Sequence, residues 1–152
     1  MKKCLIRGIF LCLLVAMVVS VAVSANAANL PYPEVDIQAS EYFASRKAEI
    51  MAAGSGKIKI ELDVKATDVM QELGASDIYV YEVQSDGRYT EVYHYTKSTH
   101  PVLIQKNDYR SVIQVTYQGT AGKSYYVAAW CYAKNASGSQ TTWIGSNVVK
   151  AT

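Results

Sequence analysis

From Gly56 to Thr67 the chain reads GKIKIELDVKAT, in which Ile58, Ile60, Leu62 and Val64 alternate one for one with Lys57, Lys59, Glu61, Asp63 and Lys65. A hydrophobic period of two with charges between predicts a β-strand that has one face on a core and one in water. SDIYVYEVQ alternates Ile78 and Val80 with Tyr79 and Tyr81, and Asp86-Gly87 then supplies a hairpin turn into RYTEVYHYT. SVIQVTYQ sets Ile113, Val115 and Tyr117 on one face. In GTAGKSYYVAAWCYAKN, Tyr125, Val127, Ala129 and Cys131 alternate with Tyr126, Ala128, Trp130 and Tyr132. After the turn-forming NASGSQ, TTWIGSNVVKA is read as a last, irregular strand.

Three stretches break this rhythm. TDVMQELGAS predicts one short helical turn, with Asp68 as cap, Gln71 three residues on and Gly74 as the left-handed stop. Pro101 restricts His100 to an extended conformation and marks a crossing loop. SEYFASRKAEIMAA mixes good helix formers with an alternation through Tyr42, Ala44, Ala48 and Ile50, and is read as an edge strand. Strands joined by short connections, with no helix long enough for a parallel crossover, predict an all-β fold. The expected form is an antiparallel immunoglobulin-like β-sandwich of about seven strands with one short helical turn, spanning residues 41–152.

The N-terminal composition changes the picture of the whole chain. Lys2, Lys3 and Arg7 precede an apolar run from Gly8 to Val23, and Ala25-Asn26-Ala27 follows. That layout predicts a signal peptide over residues 1–27, cleaved after Ala27, followed by an extended segment over 28–40. The apolar run is shorter than the roughly 20 residues a membrane-spanning helix needs, so no stable membrane insertion is expected after cleavage. Cleavage leaves 125 of the 152 residues, enough for one domain with its own core. It also removes three positive charges and turns a net charge of +2 into −1, with 12 Lys and Arg against 13 Asp and Glu. The basic balance therefore belongs to the export signal, and no nucleic-acid partner is expected. Cys4 and Cys12 leave with the signal, so Cys131 has no cysteine to pair with inside the mature chain.

The stretch GKSYYVAAWCYAKN is similar to the sixth strand of fibronectin type III and other immunoglobulin-like domains, through Gly122, Tyr125, Val127, Ala129 and Asn135. It departs from that pattern in having Ala121 where a proline is usual and in lacking the core tryptophan of the second strand. The whole chain resembles a group of short secreted proteins of Clostridia-type Gram-positive bacteria, through GKIKI, GASDIYVYE and TYQGTAGKSYY. That group has no assigned activity, so the resemblance implies fold and export and no mechanism.

Little in the chain points to catalysis. Cys131 shares the core-facing register of Tyr125, Val127 and Ala129, where a thiol behaves as a small hydrophobe. His94 and His100 stand six apart without the spacing of a zinc or hydrolase motif. Asp86-Gly87 and Asn107-Asp108 lack the run of oxygen ligands that calcium needs, and Asn135-Ala136-Ser137 reads as a turn. No cofactor, metal or catalytic residue is expected. The candidate ligand-binding residues are Tyr79, Tyr81, Tyr126, Trp130 and Tyr132, which the period of two places together on the outer face of one sheet, with Tyr93 and Tyr95 extending the row. Three readings of that row stay open: a surface for a cell-wall or other glycan, or another exported protein; a set of cross-strand pairs that stabilise the sheet; or a face that the segment 28–40 folds back to cover. The expectation is a secreted, non-catalytic binding module, with a structural subunit that forms homo-oligomers as the alternative and an extracellular hydrolase as the least expected reading.

Overall fold

A computed structural model describes residues 40–152. The signal peptide expected over 1–27 and nearly all of the segment 28–40 lie outside the described residues. The elements in chain order are β1 (Phe43–Gly54), β2 (Lys57–Met70), β3 (Glu72–Val83), β4 (Tyr89–Thr96), a 3-10 turn (Pro101–Leu103), β5 (Ile104–Gln105), β6 (Asp108–Gln118), β7 (Ser124–Lys134), β8 (Ser139–Gly145) and β9 (Val149–Lys150). Every pairing is antiparallel. One sheet has the order β1-β2-β6 and the other β4-β3-β7-β8, with β5 added to β3 and β9 to β7. Seven strands are long and two contain only two residues each, so the expected count holds for the frame of the fold.

The alternation seen in the sequence builds the core. Ile58, Ile60, Leu62 and Val64 of β2 are completely buried, and so are Ile78 and Val80 of β3 and Val127 and Cys131 of β7. With Ile50 and Ile113 they form one apolar cluster fed by both sheets. Each aliphatic side chain so removed from water contributes about 1.5–3 kcal/mol. Of residues 40–53, which carried both helix and strand signals, all from Phe43 onward fold into the strand β1 at an edge of the first sheet. Ala48 and Ile50 point inward from it, so tertiary burial outweighs the helix propensity of Ala, Glu and Lys.

The helical turn expected over 67–76 is absent. β2 continues to Met70 and β3 begins at Glu72, so the chain stays extended while it crosses from one sheet to the other. The Asp68 carboxylate accepts the N–H of its neighbour Val69 at 2.7 Å and caps nothing. Met70, Leu73 and Ala75 all reach the core from this crossing. Gly74 has φ +153°, and the carbonyl of Leu103 occupies the space a Cβ would take. The glycine answers a close backbone approach, not the end of a helix. The helical turn that does occur is the 3-10 turn at Pro101, inside the expected crossing loop, and it buries Leu103.

At the β6–β7 corner the Tyr125 hydroxyl accepts the Thr120 N–H at 2.8 Å. A Cβ on Gly119 would lie 2.7 Å from the Tyr125 ring, and Gly122 turns the chain with φ +86°. The irregularity expected in the last strand falls at Ser146. Its Oγ accepts the Val127 N–H at 3.0 Å while its own N–H donates to the Val127 carbonyl at 2.9 Å, so one side-chain oxygen interrupts the ladder along β7 between its pairing with β8 and its pairing with β9.

Candidate functional site

The two sheets differ on their outer faces. On the first, Lys47 meets Glu49 at 2.7 Å, Gln114 donates to Glu61 at 2.8 Å, and Arg110 makes a two-pronged bond to Asp63 at 3.0 and 2.9 Å. The guanidinium beside Asp63 holds its carboxyl below the usual carboxylate range. This is a solvated face of paired charges. The outer face of the second sheet carries rings.

Register explains which rings. Tyr126 opposes Tyr81, Ala128 opposes Tyr79 and Trp130 opposes Asp77 across β3 and β7, while Trp143 and Thr141 of β8 oppose Trp130 and Tyr132. Directly opposed residues share a face. All five residues singled out from the sequence, Tyr79, Tyr81, Tyr126, Trp130 and Tyr132, therefore lie on this face, and they divide into two zones. In the upper zone Tyr81 and Tyr126 are only 6% and 3% exposed. The Tyr126 ring lies towards Gly145, where its hydroxyl takes the room of a Cβ, and it meets Tyr81 at 6.2 Å and Tyr89 edge-on at 5.3 Å. With Ala128, Val83 and Tyr79 these rings form a second, smaller apolar cluster. In the lower zone Trp130, Tyr132 and Trp143 are half-buried. The Lys97 ammonium sits 3.8 Å over the Tyr132 ring, a cation–π contact.

Tyr93 and Tyr95 do not extend the row. A bulge in β4, between the pairs Val80↔Tyr93 and Tyr81↔Glu91, adds one residue and reverses the side-chain parity of the strand. Tyr95 turns into the main core, where its hydroxyl donates to the Thr116 carbonyl at 3.0 Å and burial pushes its pKa up to about 12. Tyr93 lies on the same inner side, packed edge-on against Tyr95 at 4.6 Å and tilted against Tyr117 at 5.8 Å.

The same bulge brings His94 to the outer face, opposite Tyr79, with the two rings stacked at 4.0 Å. His94 Nε2 is 2.9 Å from Asp77 Oδ1, a diagonal cross-strand pair. Sequence reasoning missed His94 because a one-residue bulge leaves no mark in the hydrophobic pattern, whereas Asp77 and Tyr89 were legible, Asp77 from the period of two it shares with Tyr79 and Tyr81 and Tyr89 from the Asp86-Gly87 hairpin that sets it opposite Val83. Trp143 was legible, since pairing β7 with β8 back from the NASGSQ turn sets it opposite Trp130.

The remaining candidates resolve as local structure. Cys131 is fully buried and burial raises its thiol pKa to about 12. His100 Nδ1 is bonded to the Thr99 hydroxyl at 2.9 Å. Asp86 binds the backbone and side chain of Arg88, Asp108 accepts the Tyr109 and Arg110 N–H groups, and Asn135 accepts those of Ser137 and Gly138. No group of three His, Cys, Asp or Glu side chains suited to a metal occurs among the described residues. Among the same residues no helix is long and apolar enough to cross a membrane.

The fold and face define an all-β protein of two antiparallel sheets, one of which turns a charged surface outward and the other an aromatic one. No protein-family model matches the chain, and no curated protein matches it.

Proposed function

We propose that the chain is an exported, non-catalytic binding module with an immunoglobulin-like sandwich, and that it engages a glycan or another exported protein through the Tyr/Trp face of its second sheet. Two features support the immunoglobulin-like reading. The first, second and fifth long strands form one sheet while the third, sixth and seventh form the other with the fourth at its edge. The Tyr125 hydroxyl closes the corner onto the backbone five residues upstream, in the manner of a tyrosine corner.

The observation that carries the binding reading is the contrast between the outer faces. On the first sheet Lys47, Lys59 and Arg110 pair with Glu49, Glu61 and Asp63, whereas Tyr79, Trp130, Tyr132 and Trp143 collect on one side of the second, half-buried and beside polar groups. Tyrosine and tryptophan, apolar in body and polar at the tip, suit a contact surface that is wet at its margin. Within the sequence-derived set, Trp130, Tyr132 and Tyr79 are the residues for contact, and Tyr81 and Tyr126 act as the packed base that holds them.

The test is tryptophan fluorescence with acrylamide quenching, before and after addition of cell-wall fragments and soluble polysaccharides. Trp130 and Trp143 are the only tryptophans in the chain, so protection on addition reports on this face. Protection that disappears in Trp130→Ala and Tyr132→Ala is the expected result. Quenching that no addition changes, together with variants that retain every detected interaction, defeats the reading.

A further inference from the structure

We infer that the outer face of the second sheet is the docking surface for this chain's own segment Leu30–Ala39, which an external partner has to displace. The docking stands on its own observations, and only its consequence for an external partner rests on the binding-module reading.

The face is already in use. Tyr79, Tyr81, Tyr126, Trp130 and Trp143 each hold an interaction beyond the ring and ladder contacts given above, and all five belong to this one face. Its burial agrees. The described strands form two layers and none forms a third over these rings, yet Tyr81, Tyr126 and Ala128 are only 6%, 3% and 2% exposed.

The start of the described chain lies at the margin of the same face. Ser40 Oγ accepts the N–H groups of Tyr42 at 3.1 Å and Phe43 at 3.0 Å, which bends the chain into β1. The same hydroxyl donates to Gln140 Oε1, and so pins the bend to the beginning of β8, the outermost strand of the second sheet. Trp143 is three residues along β8 from Gln140, about 10 Å. Tyr126 is seven residues along β7 from Ala133, the partner of Gln140, about 24 Å. The twelve residues 28–39 span up to about 40 Å when extended, so every ring of the face is within their reach.

The segment has the chemistry for it. It reads ANLPYPEVDIQA. Val35, Ile37 and Ala39 alternate with Glu34, Asp36 and Gln38, which gives one apolar side to lay on the sheet and one polar side for water. Pro31 and Pro33 hold Leu30 and Tyr32 extended. Such a stretch loses little entropy on docking, and grooves lined by aromatic rings accept it. Attachment at Ser40 supplies the rest. A short tether gives an effective concentration on the order of 1 mM, so an intrinsic dissociation constant of about 0.1 mM keeps the face closed about nine-tenths of the time. A second copy at micromolar concentration does not compete with that. An external partner then binds about tenfold more weakly than it would to the open face.

The experiment uses the chain from Ala28 to Thr152. Acrylamide quenching of Trp130 and Trp143 is compared with that of Pro31→Gly/Tyr32→Ala/Pro33→Gly and of Val35→Asp/Ile37→Asp, each checked for cooperative melting and for mass by sedimentation. Both variants are expected to remain monomers and to be quenched severalfold more strongly. A nitroxide on Asn29→Cys, Cys131 being buried, gives a second measurement that does not depend on the fold of either variant. It is expected to broaden the amide signals of Tyr126 and Ala128 and both indole signals, and to spare Lys47, Asp63 and Gln114 on the first sheet. Unchanged quenching, with no broadening on the face, overturns the docking; cell-wall fragments or polysaccharides that protect the tryptophans in that case leave the binding module standing. Shielding that grows with protein concentration, with broadening passed to unlabelled copies, assigns the cover to a second copy and also overturns it. Confirmed docking, with no addition bound even by the opened variants, supports the segment as a permanent cover and removes the binding-module reading instead.

Discussion

The side-chain amide of Asn147 meets both backbone groups of Ile50: its Oδ1 accepts the Ile50 N–H and its Nδ2 donates to the Ile50 carbonyl, each at 3.1 Å. Ile50 lies on β1, whose outer edge has no strand beside it in the first sheet among the described residues. An open edge exposes unpaired N–H and C=O groups, and here one amide side chain imitates the missing partner at one position. Asn147 follows β8, so the same contact joins an edge of one sheet to the other. Asn147→Ala is expected to cost about 1–3 kcal/mol, because two hydrogen bonds to part-buried backbone groups are lost. Chemical denaturation measures the loss, and faster hydrogen exchange at the Ile50 amide locates it. An Ile50 amide that exchanges as slowly in the variant as in the wild type argues against the clamp.

Tyr125 makes the second such prediction. Its ring packs over Gly119 and its hydroxyl takes the Thr120 N–H. Tyr125→Phe keeps the ring and removes the acceptor, which is expected to cost about 0.5–1.5 kcal/mol. Gly119→Ala presses a methyl group to within 2.7 Å of the ring, and overpacking of that kind costs about 1–3 kcal/mol. The order to be checked by thermal melting is therefore wild type, then Tyr125→Phe, then Gly119→Ala. A Gly119→Ala variant as stable as wild type counts against the tight corner.

These two contacts mark where the sequence could be read and where it could not. The strands with a clean period of two, β2 above all, and the inward register of Tyr125, Val127, Ala129 and Cys131 follow directly from the pattern, because a half-buried strand has no other arrangement. The aromatic face was legible on β3 and β7 for the same reason. It was illegible on β4, where the bulge beside Val92 exchanges the two faces and sends Tyr95 inward and His94 outward. The crossing at 67–76 was misread because Gly74 carries the same letter whether it stops a helix or admits the Leu103 carbonyl. Whether a ring on the outer face is covered or open depends on its neighbours in three strands. Tyr126 is buried beside Ala128 and Gly145, and no local pattern records that trough.

Gly74 itself supplies a test of that correction. At φ +153° with a carbonyl in the Cβ position, alanine has neither a comfortable backbone conformation nor the space. Gly74→Ala is expected to cost more than the roughly 1 kcal/mol typical of a glycine-to-alanine change at a left-handed helix end, since backbone strain of about 1–3 kcal/mol adds to a clash. Equilibrium unfolding decides between the two. A cost near zero leaves the close approach of Leu103 without energetic meaning.

The buried thiol and phenol predict how stability varies at alkaline pH. Burial raises Cys131 from 9.0 to about 12, and burial together with neighbouring Tyr93 and Tyr117 raises Tyr95 from 10.0 to about 12. Between those limits the native state keeps protons that the unfolded chain releases. The unfolded state then binds fewer protons, so the free energy of unfolding falls as pH rises. The contribution is fully present below pH 9, begins to be lost above it through Cys131, declines faster above pH 10 when Tyr95 joins, and is gone by about pH 12. Each group lowers stability by at most about 1.4 kcal/mol per pH unit within its window. Melting temperatures measured from pH 7 to 11 are expected to stay level and then drop. Cys131→Ala should flatten the segment between pH 9 and 10 at the cost of a small cavity, while in the wild type a thiol reagent should react with Cys131 only as the fold opens. Rapid labelling at pH 8 under native conditions contradicts the burial on which this rests, and an alkaline slope unchanged by Cys131→Ala assigns it to Tyr95 and other phenols instead.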